Sequence, residues 1–281
     1  RVEPRRRPVP PARQLGRVLA FQFGMENVDS EFFSFLGDDD VLLPGWSRTA
    51  MNWMDRFPNV VGVGGLTVPV DPSGKVLVDA RQYSPSGYIE APGLARWIMN
   101  RRHPDWQGVL FRTRIRDHVA LDPEVAPCDV DFLLRAGAVG DFYFTNEEAA
   151  LFTRHPGSST IDLPLRFVYP GELILGNKFL SWEFLGAGFR EEFERKWLLR
   201  LERRLRSRII RSIADHSWGE VRELCEAVGR LSPDRTSRGM IAVGHVACSI
   251  PWLFRPLSIA KKWRRKLRRE RRLGYRPISL P

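Results

Sequence analysis

Three cysteines, Cys128, Cys225 and Cys248, are scattered through 281 residues with no CxxC spacing. That excludes a disulfide framework and a cysteine-based zinc site, and it favours a reducing compartment. Long apolar runs are missing as well. No uninterrupted hydrophobic segment approaches the ~20 residues that cross a bilayer, and the arginine- and proline-rich start lacks the apolar stretch of a signal peptide. Carboxylates are outnumbered, 33 against 44 lysines and arginines, for a net charge of +11. Such an excess attracts phosphate-bearing partners, but it sits at residues 1–17 and 261–276. The nearly balanced middle therefore need not bind nucleic acid.

What is present is 43% hydrophobic content, enough to bury a full core. Residues 1–14 form an Arg/Pro-rich tail that cannot pack. From Leu15 onward, short strands alternate with helices. VLAFQF (18–23) and EFFSFL (31–36) read as strands, 47–57 as a helix and VVGVGGLTVPV (60–70) as a β-branched strand. DPSG (71–74) reads as a turn, 84–93 as a loop over a site, 107–112 as a strand, 129–138 as a helix and 141–145 as a strand. This order predicts an α/β fold.

After Gly171 the character turns helical. Phe189, Phe193, Trp197, Leu201 and Leu205 fall four apart, and Leu198, Ile209 and Ile213 complete the stripe. Lys196, Arg200, Arg203, Arg204 and Arg208 take other faces, which predicts an amphipathic helix, with a second at 218–228. The expected layout is a tail at 1–14, an α/β domain at 15–170, a helical accessory region at 171–249 and a basic amphipathic segment at 250–281. In that last segment Trp252, Leu253, Phe254, Leu257, Ile259 and Trp263 run into KKWRRKLRRERR (261–272). Aromatics beside dense cations suit an anionic bilayer surface, each cation contributing about 1 kcal/mol. A solvated helix end or a nonspecific nucleic-acid tail would share this composition.

The most chemically loaded segment is GDDDVLLPGW at 37–46, where an apolar run ends in Asp38, Asp39 and Asp40. Three adjacent carboxylates repel one another unless a divalent ion or hydrogen-bond donors offset the charge, and oxygen ligands suit magnesium or manganese. A solvated acidic turn or an Asp-rich helix N-terminus would use the same residues. Further on come GVLFR (108–112), LDPEVAPCDVDFLLRAG (121–137) and RHPGSS (154–159). Asp129 and Asp131 fall in the first turn of the expected helix, and Arg135 lies at i, i+4 from Asp131, where the two can pair.

In this order, the four segments resemble the family 2 glycosyltransferases that use nucleotide sugars, over about residues 15–160. The resemblance implies a GT-A-like mixed sheet flanked by helices and followed by C-terminal helices. It implies sugar transfer, with inversion, from a nucleotide diphosphate sugar to a hydroxyl acceptor in a glycan, a lipid-linked molecule or a small molecule, with Mn2+ or Mg2+ as cofactor. Asp129 matches the base, and Asp38 and Asp39 the donor-binding positions. Asp38, Asp39, Asp40 and His155 match the metal side, either as a DxD of Asp38 and Asp40 or with Asp38 on the ribose and Asp39 on the metal. On the acceptor side stand Gly108, Asp131, Arg135 and Trp106, with Trp97 a second ring able to stack. Asp122 resembles an acidic step before the helix, while Cys128 stands where the family has Glu. Many members build bacterial surface polysaccharide or other envelope glycans at the cytoplasmic face of a membrane, and no nucleic-acid partner is expected. Only 37 residues precede Asp38, so the nucleobase-binding part of the family pattern is expected to lie upstream of this sequence or to have degenerated. A catalytically inactive scaffold or carbohydrate-binding protein is the alternative function.

Overall fold

The computed structural model describes residues 15–77, 84–100, 103–125, 127–155, 165–229 and 235–251. The expected tail and all but the first two residues of the basic segment lie outside them. The fold is mixed α/β, and its sheet is ordered β1 (Phe32–Phe33), β5 (Val109–Arg112), β3 (Val60–Val70), β6 (Asp141–Thr153) and β2 (Val41–Leu42). The short β4 (Gly87–Ile89) also pairs with β6. β3 and β6 run parallel, and the other pairings are antiparallel.

β3 is buried along most of its length, β6 at Phe142, Phe144, Thr145, Ala149 and Ala150, and GVGG in β3 sets how the two meet. Gly62 and Gly64 pair with Phe142 and Phe144, and each ring lies over its glycine. A β-carbon on either glycine would fall 2.3 Å from the ring. Helices cover both faces, as strand alternation requires. Leu110 packs with Trp46, Ala50 and Met54 of α2 (Trp46–Arg56). Phe111, the next residue, meets Phe132 of α4 (Cys128–Val139) edge to face at 5.2 Å. α4 in turn crosses α3 (Gly93–Asn100) closely, because a β-carbon on Gly137 would lie 2.7 Å from that of Leu94.

The arginines of RTRIR hold loose carbonyl ends. Arg112 donates to the carbonyls of Met54 and Val60, Arg114 to those of Pro58 and Asn59, and Arg116 to that of Val28. Helix C-termini leave such carbonyls unpaired, and cations there also oppose the helix dipole.

Several elements differ from the sequence-based expectation. VLAFQF is helical, inside α1 (Arg17–Glu26), whose Phe21 meets Phe35 and Trp106 edge to face. A short apolar run does not distinguish strand from helix by itself, and here packing on that aromatic cluster decides it. Of EFFSFL only Phe32–Phe33 is strand. The loop expected over a site at 84–93 contains β4 and is fastened to the start of β6, where the Tyr88 hydroxyl donates to Asp141 at 2.6 Å.

The first compact unit extends to Phe193, beyond the change of character at 171. α5 (Leu165–Leu180) belongs to it: Leu175 and Phe179 are buried, and Lys178 pairs with Asp122 and Glu124. α6 (Ala187–Ala214) runs on into the second unit, where Trp197, Leu201, Leu205, Ile209 and Ile213 form the expected buried stripe. Leu198 does not join it and is 46% exposed. In the same unit α7 (Trp218–Gly229) packs on α8 (Arg235–Ser249), with Gly244 against the Cys225 thiol. Among the described residues no helix is long and apolar enough to cross a membrane.

Gly64→Ala drives a methyl into the Phe144 ring. The expected cost is about 1–3 kcal/mol of stability, read as a lower urea midpoint with unchanged slope.

Candidate active site

Strand register assembles the site. β2 pairs antiparallel with the end of β6, Val41 opposite Leu151 and Leu42 opposite Ala150. The residues just before β2, Asp38 to Asp40, therefore lie opposite those just after Leu151, and His155 is brought to them. β5 is antiparallel to β3, with Val109 opposite Gly64, so the residues preceding Val109 reach the same end of the sheet. That end is where the parallel strands β3 and β6 finish, the usual place for sites in open α/β sheets.

The three aspartates have different surroundings. Asp39 accepts a hydrogen bond from His155 Nε2 at 3.0 Å, and both side chains stay about one-third exposed, 37% and 34%. Asp40 is half-buried and committed on both oxygens: Oδ1 accepts from the Thr153 backbone N–H and Oδ2 from the Gln107 side-chain amide, each at 3.1 Å. Burial raises its pKa above the ordinary 3.8, the two donors oppose that rise, and the charge on Asp39 adds to it. Asp38 is exposed. Gly37 makes room for the cluster, since a β-carbon there would sit 2.8 Å from Asp39 Oδ1 and 2.9 Å from Asp40 Oδ2.

Asp129 stands in the first turn of α4 with its side chain 35% exposed, and its Oδ2 is 3.9 Å from His103 Nδ1. That ring nitrogen is also 3.1 Å from the Pro104 carbonyl, which fixes it as a donor. Asp105 is near enough to both groups of carboxylates to feel their charge. Desolvation pushes its pKa up to about 6, His103 and Arg154 hold it down, and Asp129 and Asp40 both push it up. One recessed carboxyl thus feels the base candidate and the acidic turn together. His103, Asp105, Gln107 and Arg154 were not singled out from sequence. The only cue was their polar character beside Gly108 and His155.

Other expected acceptor contacts are placed differently. Asp131 is fully buried, and Arg135 Nε donates to both its oxygens at 2.9 and 3.1 Å. The Arg135 guanidinium also stacks over Trp182 at 5.3 Å. This pair packs α4 from inside and does not face an acceptor. Burial outweighs the guanidinium and pushes Asp131 up to about 6. Trp106 is 6% exposed and stacked on Phe35 at 4.3 Å, so its ring is core. Gly108 permits a close approach to β3, where a β-carbon would lie 2.8 Å from Thr67 Oγ1 and 3.1 Å from the Gly65 carbonyl. Asp122 accepts from the Glu124 N–H and is paired with Lys178. Burial pushes the Cys128 thiol to about 11, leaving it unreactive. A groove of about 180 Å³ lined by Val61, Arg114, Ile115, Asp117, His118 and Val139 includes the start of β3 and the end of α4, not the carboxylates.

The polar groups that meet here are carboxylates and one imidazole. Among the described residues no group of three or more His, Cys, Asp or Glu side chains is arranged to hold a metal by itself. Asp39 and His155 make a pair, and a magnesium-type site commonly takes one or two carboxylates and completes its sphere with substrate phosphates and water. No protein-family model matches the chain, and no curated protein matches it.

Asp131 supplies a test of this placement. Folded, it keeps its proton to about pH 6; unfolded, it releases it near 3.8. The folded state binds more protons between those values, so stability falls as pH rises from about 4 to 6 and then levels, by ~3 kcal/mol for this group. Asp131→Asn should flatten that fall in urea unfolding at pH 4, 5 and 6. A slope equal to that of the wild type would place the carboxyl in solvent.

Proposed function

We infer that this chain transfers a sugar, with inversion, from a nucleotide diphosphate sugar to a hydroxyl acceptor. The observation that carries this reading is the meeting of Asp39 and His155, 116 residues apart in sequence, at 3.0 Å, at the sheet end whose neighbour Asp105 also senses Asp129. An alcohol is too weak an acid to attack unaided, so a carboxylate must accept its proton as the new bond forms. Asp129 is the exposed carboxylate suited to this, and Asp131 is not, because its oxygens are taken by Arg135. Displacement from the face opposite the leaving diphosphate inverts the sugar carbon.

On the donor side Asp39 and His155 would hold a Mn2+ or Mg2+ ion. Bound there, the ion would offset the negative charge that develops on the departing diphosphate. Asp40, with both oxygens committed within the protein, orients the turn, and Asp38 is free to meet the donor's ribose. Arg154, next to His155, adds a permanent positive charge beside Asp105. The basic sequence at 261–272, with nine cations and one carboxylate, supports work at an anionic membrane surface, each cation contributing about 1 kcal/mol.

Two variants separate the roles. Asp129→Asn should lower sugar transfer by about 10²–10⁴-fold and leave Mn2+ binding unchanged in a calorimetric titration. Asp39→Asn should lose Mn2+ binding. Transfer by Asp129→Asn at the wild-type rate would remove the base assignment.

A further inference from the structure

Residues 103–107 touch both halves of the site. At one end the His103 ring lies 3.9 Å from Asp129. At the other the Gln107 amide donates to Asp40 at 3.1 Å across 67 residues of sequence. The segment is held between these ends: Pro104 and Trp106 are buried, Trp106 is stacked on Phe35, and Gly108 lies against the backbone of β3. A shift of this segment therefore moves both contacts.

We propose that residues 103–107 form a strap registering the base against the donor-side turn, and that Gln107 is the positioning residue which, by holding Asp40, presents Asp39 and His155 to a divalent cation. Asp40 has two outside partners, and the second, the Thr153 N–H, lies two residues before His155. Asp40 thereby joins the acidic turn to the strand end that carries His155, with Gln107 as its only described side-chain donor. Without that amide Asp40 Oδ2 loses its partner. This carboxyl then turns toward solvent or toward Asp39, whose Oδ1 shares the space above Gly37, and like charge spreads the pair meant for the cation.

The proposal rests on the transferase reading through the cation, and the test separates the two. Mn2+ alone is the probe, with the free ion followed by electron paramagnetic resonance on the whole chain. Gln107→Met keeps the length and volume of the side chain and removes the donor. It should weaken Mn2+ binding by about tenfold, the factor expected for one hydrogen bond to a charged group. A side chain that only packed would leave the affinity of this same-sized variant at the wild-type value. The second measurement needs no variant: the Gln107 side-chain amide signals of the wild-type chain should shift on titration with Mg2+, with the same dissociation constant as backbone signals of Asp39. Wild-type Mn2+ affinity in folded Gln107→Met, or Gln107 signals that stay still while those of Asp39 move, would overturn the strap and leave the transferase reading intact. Failure of the wild-type chain itself to bind Mn2+ would bring down both.

Discussion

Everything at the candidate site depends on two backbone pairings, Val41 with Leu151 and Leu42 with Ala150. They join the short strand after the acidic turn to the far end of the longest strand in the sheet, and so close the gap between Asp39 and His155. A slip of one residue would turn every side chain of β2 to the other face. The neighbouring structure supports that register: β6 pairs with β3 from Asp141 opposite Val60 to Thr153 opposite Val70, with irregularities around Gly64 to Thr67, and Phe142 and Phe144 are seated on Gly62 and Gly64. Glycines that look like weak points in a β-branched strand are what lets two aromatic rings seat the first half of β6, and regular pairing of Thr67 to Val70 with Ala150 to Thr153 carries the second half toward His155.

The electrostatics follow from this arrangement. Asp39, Asp40, Asp105 and Asp129 come to one end of the sheet, with the positive charge of Arg154 beside Asp105 and that of Arg17 beside Cys128. Like charges gathered in this way repel, and their surroundings answer in three ways. Asp40 accepts hydrogen bonds from two uncharged donors that stabilise its carboxylate, Asp105 is pushed toward its protonated form by desolvation, and a histidine ring lies beside each of Asp39 and Asp129. Besides the exposed Asp38, what remains partly open to solvent is Asp39 next to an imidazole and Asp129 in the first turn of α4.

Much of the frame was legible in sequence because it repeats a local period. The β-branched run of β3, the helix behind Pro44 and Gly45, the Asp-rich first turn of α4 and the four-residue spacing along α6 each state their structure locally. VLAFQF was misread because five apolar residues in six carry no period, and only the aromatic cluster around Trp106 makes the segment helical. Trp106 itself was placed against a ligand because sequence shows an aromatic beside a glycine and cannot show Phe35 stacked on it. Asp131 and Arg135 were correctly seen as a pair at i, i+4, yet which side of α4 is buried depends on α5 and Trp182, and that turned an acceptor contact into an internal brace. Gln107, His103 and Asp105 carried no local signal, since their partners lie in other segments that strand register alone brings near.

The central claim is that Asp39 with His155 and Asp129 serve one cleft. It is tested most directly by adding Mn2+ in small amounts to protein labelled with ¹³C at the aspartate side-chain carboxyls. The paramagnetic ion should broaden Asp39 first, then Asp40, Asp105 and Asp129. Asp141, at the other end of β6 and opposite the start of β3, about 33 Å away over the ten steps of β3 at ~3.3 Å per residue, should stay sharp. If Asp39 broadens while Asp129 stays as sharp as Asp141, the base and the donor side do not share a site, and the account is contradicted.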